Sequence, residues 1–268
     1  MKADKNILIA FILNIAFSIF ELVGGMITGS IALISDAVHD FGDGVSIGIS
    51  WLLEKKSNQE PDEVFTYGYR RYSVVGSALT SVLLLLGSVF VVCNAVGRMI
   101  EPKEINYNAM IPLAVVGVCV NFAAAYITHG GCSLNLKAVN LHMLEDVLGW
   151  LVVLLGAIVM KVTDFALLDP ILSVGISVFI FIHAWKHLME SLHVFLEKVP
   201  DGLELREIKE SLLTIEGVMD VSDLHIWTLD GEHHAAAVRI TANGKIKERV
   251  RETLHQYGIE EVTVEIDG

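Results

Sequence analysis

Two patterns, one after the other, predict a membrane bundle of six helices followed by a small α+β domain. Through about residue 198 the chain is a series of long apolar runs; beyond Val199 it breaks into short segments that alternate between helical and strand spacing. Composition agrees with the first pattern: 53% of the 268 residues are hydrophobic, and the mean hydropathy of +0.56 is above what soluble domains reach. Charge agrees with the second. Of a net −13, most falls from Val199 to Gly268, where seven Lys/Arg face 15 Asp/Glu. So acidic a segment argues against nucleic acid as a partner and suits a soluble module with some attraction for cations.

The apolar runs lie at roughly 6–28, 31–53, 72–100, 108–130, 138–162 and 168–190. Each is long enough for a helix to cross about 30 Å of hydrocarbon. The first follows Lys2 and Lys5 as a signal peptide would. It carries Glu21, however, and runs through Val23-Gly24-Gly25 without a convincing cleavage site, so it is kept as a span. The short Thr28-Gly29-Ser30 link makes runs one and two a helical hairpin. Lys2, Lys5, Lys55, Lys56, Arg70, Arg71, Lys137 and Lys186 gather on one side of the bundle, with only Arg98, Lys103 and Lys161 on the other. By the positive-inside rule both termini are expected in the cytoplasm.

Pro200-Asp201-Gly202 stops the sixth run, which sets the expected domains at 1–198 and 199–268. In the second, Leu205, Ile208, Leu212 and Ile215 share a helix face; Val218–Leu229 and His234–Thr241 alternate like strands around the Asp230-Gly231 turn. Lys245–Tyr257 returns to helix and Glu261–Ile266 to strand, giving the order αββαβ with helices on one side of a sheet. Cys93, Cys119 and Cys132 lack C-x-x-C spacing and read as small apolar residues.

The chemistry lies in a repeated spacing: His39-x-x-x-Asp43 in the second run and His142-x-x-x-Asp146 in the fifth. Residues four apart stack on one helix face, so each helix offers a nitrogen and an oxygen to a common point. Two such helices supply N2O2, a set that suits tetrahedral zinc. A single pair could be a hydrogen-bonded strut between helices; its repetition at membrane depth, where ionisable groups are costly, favours a divalent-cation site. Zinc needs neutral imidazole and ionised carboxylate, so metal competes with protons at the histidines. With alternating access that competition becomes exchange of H⁺ for the metal. Asp40 and Glu145 are expected to point away from the site, as relay groups or alternative ligands, and Asp36 is either a first-turn acid or part of the ion path. Asn14 and Glu21 read first as helix-to-helix hydrogen-bonding groups.

The run Glu21-Leu22-Val23-Gly24-Gly25, the stretch from Ser30 to Asp40, Tyr67-Gly68-Tyr69-Arg70, His142-x-x-x-Asp146, Asp169-Pro170 and Leu224-His225-Ile226-Trp227 together resemble the cation diffusion facilitator family along essentially the whole chain. The resemblance implies a homodimeric metal/proton antiporter in a lipid bilayer, with a ferredoxin-like cytoplasmic domain on each protomer. It maps the transport site onto His39, Asp43, His142 and Asp146, the set carried by zinc-preferring members. The function expected is export of Zn²⁺, with Cd²⁺ and Co²⁺ accepted, across the plasma (inner) membrane of a bacterium. Further metal in the cytoplasmic domain would fall on His225, His234, Glu265 and Asp267. Some relatives carry histidine where this chain has Glu265, which weakens that carry-over. The alternative from another class is a membrane metalloenzyme. That needs an open coordination position and a general base, and the chain has no H-E-x-x-H.

Overall fold

The computed structural model describes residues 2–28, 31–100, 107–130, 133–163, 168–244 and 246–267. Two compact units divide the chain, Met1–Met189 and Glu190–Gly268.

Unit 1 is built from long helices: α1 (Lys2–Thr28), α2 (Ile31–Ser57), α3 (Arg71–Ile100), α4 (Tyr107–Thr128), α5 (Leu134–Thr163) and α6 (Leu168–Phe195), the last running across the division. Among the described residues α1, α3, α4 and α5 contain stretches long and apolar enough to cross a membrane. α2 is 27 residues long but carries Asp36, His39, Asp40 and Asp43 in its first half, which lowers its hydropathy. α1 packs on α2 and α4, α4 on α5, and α3 on both α2 and α5. Ile7 and Ala10, Ile47, Ala124 and Ala125, and Leu136, Val139, Met143 and Val147 form the core where α1, α2, α4 and α5 meet. A smaller core joins Phe17, Ala114 and Trp150, with the Phe17 and Trp150 rings edge-to-face at 5.5 Å.

The outside of this unit is as apolar as its inside. Ile12, Phe20, Leu86, Phe90, Phe122, Tyr126 and Ile182 are all exposed, whereas Ser46, Ser50, Ser77, Thr80 and Asn135 are buried. Lipid explains the inversion, because apolar side chains lose nothing by facing hydrocarbon while polar ones must find partners within the bundle.

In unit 2, α7 (Leu205–Leu213), β1 (Val218–Thr228), β2 (His234–Ala242), α8 (Lys247–Gln256) and β3 (Ile259–Asp267) follow in the order the sequence predicts. The sheet order is β1-β2-β3, with β2 antiparallel to β1 and parallel to β3. Ile208 and Leu212 of α7 and Val250 and Leu254 of α8 pack against Ile226, Ala236, Val238, Ile240 and Val264. The opposite face, with Asp223, His225, Arg239, Glu265 and Asp267, is exposed. At the β1–β2 turn Gly231 has φ +98°, a conformation that only glycine adopts at no cost. The Asp230 carboxylate accepts the Glu232 and His233 amides at 2.9 and 2.8 Å.

Candidate metal centre

α2 and α5 bring Asp43, His142 and Asp146 to one point. Each offers one ligand atom, and the three atoms lie within 4.8 Å of one another. His142 Nε2 stands 3.9 Å from Asp43 Oδ2. Ligand atoms around a tetrahedral zinc with bonds of about 2.0–2.1 Å sit roughly 3.3–3.4 Å apart, so a small contraction would complete that pair. Beside Asp43, Gly44 permits the close approach of α1: a Cβ there would meet the Ile15 side chain and, at 2.9 Å, Asn14 Oδ1. A side chain at this position would force the Ile15 and Asn14 side chains to shift.

Electrostatic demand marks this cluster. His142 is 6% exposed, and its Nε2 and the Oδ2 of Asp146 are buried atoms without a hydrogen-bond partner. A buried acceptor left unmatched costs about 1–3 kcal/mol, and more when charged. A divalent cation would satisfy these atoms at a stroke, which tests the fit of the residues to such an ion on the geometry alone. His142 Nδ1 lies 3.8 Å from Glu145 Oε2. This corrects the expectation that Glu145 points elsewhere: three residues on from His142 it is a helical neighbour. At 3.8 Å it stands beyond hydrogen-bond distance, and its Oε2 is, like Nε2 of His142, a buried atom without a hydrogen-bond partner.

His39 and Asp36 lie on α2, but their side chains fall outside the described residues. Asp40 is half-buried on the same helix. Asn14 and Glu21 of α1 are buried, at 3% and 0% exposure. In unit 2 the four positions carried over by resemblance do not meet within one chain. His225, Glu265 and Asp267 share the open face; His234, by strand alternation with Ala236 and Val238, lies on the core side. The open-face acids are engaged instead by Arg239, whose guanidinium donates to Glu265 Oε2 at 2.9 Å and to Asp223 Oδ2 at 3.2 Å.

Both parts of the chain resemble known proteins. The family model for the cation efflux transmembrane domain matches residues 7–196, and that for the cation efflux protein cytoplasmic domain matches residues 200–268. The chain belongs to the cation efflux family. Members of the cation efflux family similar to it include zinc transporter ZitB of Yersinia pestis, 32% identical over 273 aligned positions that cover 98% of this chain and 88% of the relative. The metal cation efflux system protein CzcD of Cupriavidus metallidurans is 33% identical over 239 positions, 88% of this chain and 76% of the relative. A cadmium, cobalt and zinc/H⁺-K⁺ antiporter of Bacillus velezensis is 27% identical, over 98% and 88% of the two chains. The cation efflux family comprises membrane transporters of metal cations, not enzymes, and the metalloenzyme alternative therefore falls.

Proposed function

We propose that the protein exports Zn²⁺ from the cytoplasm, with Cd²⁺ and Co²⁺ accepted, in exchange for H⁺, by alternating access around His39, Asp43, His142 and Asp146. The convergence of Asp43 from α2 with His142 and Asp146 from α5 carries this reading. His39 is assigned as the fourth ligand by its spacing, one helical turn before Asp43. The printed names of the relatives support the cargo and, for the Bacillus protein, the proton.

The exchange follows from coordination chemistry. An ion at the site requires His142 Nε2 unprotonated and both carboxylates ionised. A proton on the imidazole therefore excludes the metal, and arrival of the metal expels the proton. If the two faces of the bundle open in turn, protons enter from one side and the ion leaves to the same side. Asp43 and Asp146 offset the double charge of the ion in a medium where an unpaired charge is costly.

The reading includes six spans, α1–α6, with both termini in the cytoplasm of a bacterial cell and the protein in its inner membrane, as the distribution of Lys and Arg supports. It divides the chain at the Pro200-Asp201-Gly202 link, and takes the second domain as a ferredoxin-like module that pairs two protomers. His225, Glu265 and Asp267 on its open face would hold regulatory zinc only with residues from a second protomer; His234 is the outlier of that set.

The test is zinc uptake by proteoliposomes under an imposed pH gradient. Wild type should accumulate zinc against its gradient, and Asp43→Ala or His142→Ala should lower the rate by about 100-fold or more, the loss of roughly 3 kcal/mol of ion stabilisation. Wild-type rates in either variant would refute the site.

A further inference from the structure

A second buried carboxylate lies outside the metal centre, in the last turns of α2. Glu54 is 4% exposed. Its Oε2 accepts hydrogen bonds from Ser73 Oγ of α3 at 2.8 Å, from Ser133 Oγ at 3.0 Å and from Asn135 Nδ2 of α5 at 3.1 Å. All three donors are uncharged. Charged groups on the helices packed around α2 are turned to other uses. On α2 itself Lys55 sits over the Trp51 ring and Lys56 over the Tyr69 and Tyr72 rings. Lys5 on α1 and Lys137 on α5 are exposed, and Arg70 and Arg71 at the head of α3 are not among the donors to Glu54.

The cluster accommodates either charge state of this acid. Ser73 Oγ and Ser133 Oγ are also 2.9 Å from each other, so either hydroxyl can turn from the carboxylate to its neighbour and accept a hydrogen bond from protonated Glu54 in return. Asn135 Nδ2 has an alternative acceptor in the Ser50 carbonyl at 2.8 Å. When Glu54 is neutral, no donor aimed at it is orphaned. An acid paired with arginine would be pinned in its ionised form; the three donors here carry no charge. Only one of the four groups is a carboxylate and Asn135 presents its NH2 to it rather than an oxygen, a set that suits a proton and not a metal ion.

Helix geometry ties this cluster to the metal centre. Glu54 is eleven residues from Asp43, which returns it to nearly the same face of α2 about 16 Å along the axis. Asn135 is two turns from His142 on α5. Between them Ser50 Oγ and Thr80 Oγ1 share a hydrogen bond of 2.6 Å, buried with Ser46 and Ser77. Gly76 of α3 makes room for Asn135: a Cβ there would stand 2.5 Å from its Oδ1. The same two helices that hold the metal therefore also hold Glu54, and a movement of either one is felt at both places.

We propose that Glu54, with Ser73, Ser133 and Asn135, is a second proton-binding site of the exchange cycle, separate from the metal ligands. The proton is taken up by the Glu54 carboxylate and released again as H⁺ on the side where the α2–α3 loop lies, with no other group consumed. The proposal rests on the proton-exchange reading above.

Zinc flux into proteoliposomes, measured across a pH series, tests it beside zinc binding by titration calorimetry in detergent. Glu54→Gln imitates the protonated acid permanently. It should bind zinc with wild-type affinity yet transport it at least about tenfold more slowly, and with a weakened response to the pH gradient. Ser133→Ala keeps the acid and removes one donor from its ionised form. With that donor gone, the pH of half-maximal flux should move by about one unit. Wild-type flux and gradient response in Glu54→Gln would overturn the proposal, as would a Ser133→Ala profile with an unmoved midpoint. Should Glu54→Gln fail to give monodisperse protein, the Ser133→Ala midpoint decides alone. If the wild-type protein shows no gradient-driven flux, the antiport reading itself has failed, and the two failures are thus distinct.

Discussion

Histidine stands beside aspartate in both units of this molecule, with opposite outcomes. At the β1–β2 turn, both oxygens of Asp230 are engaged: Oδ2 accepts from His233 Nδ1 at 2.7 Å and Oδ1 from two backbone amides. With most of its acceptor capacity committed, that acid serves the turn. In the bundle, His142 and Asp146 keep buried atoms with no hydrogen bond, and Asp43 approaches them from another helix. Residue type alone would rank the two sites alike. What separates them is coordination capacity left unused in a place where water cannot supply it.

Three substitutions sharpen that contrast, beyond those already described. The largest effect is expected from Asp146→Asn, which keeps the shape but removes a buried negative charge. Zinc binding to the detergent-purified protein should fall by about 100-fold or more, and an affinity within a factor of two of wild type would mean that Asp146 is not a ligand. Glu145→Gln comes next. With the negative charge 3.8 Å from His142 Nδ1 removed, affinity should fall by about tenfold, while the number of ions bound stays the same. The smallest effect belongs to unit 2. Burial lowers the pKa of His234 below its ordinary 6.5, so the folded state refuses a proton that the unfolded state takes up. Stability from this residue is complete above pH 6.5 and is lost as pH falls below it. Hydrogen exchange in β2, corrected for intrinsic rates, should accordingly show protection declining from pH 7 toward pH 5, and less steeply in His234→Gln.

Periodicity made much of this legible in advance. Each element of unit 2 follows from alternation or helical spacing, because one face of every segment is buried and the other wet. Of the candidate metal centre, the convergence of Asp43, His142 and Asp146 was legible for a related reason, since a spacing of four in two apolar runs leaves few arrangements; the side chain of His39 lies outside the described residues. Hydropathy was blind where polar residues are buried for the sake of the bundle. The fifth run is read from residue 138, yet α5 begins at Leu134, because Asn135 is sequestered against Ser50 and Glu54. Glu54 lies just beyond the second run, read as 31–53, and no motif marks it. Its separation of eleven from Asp43 was the available signal, and it becomes meaningful only when α3 and α5 are seen to close over it.

The polar load on α2 bears on how the protein is made. A helix delivered alone into lipid with Asp36, Asp40 and Asp43 would incur about 2.5–3.5 kcal/mol for each acid near its centre, more than its remaining apolar residues recover easily. α1 precedes it and already offers a partner surface: Ser18 Oγ donates to the Ala37 carbonyl at 2.9 Å, and Gly44 lies against Asn14 and Ile15. On the six-span reading, α1, made first, gives the polar second helix a partner surface as it enters the membrane.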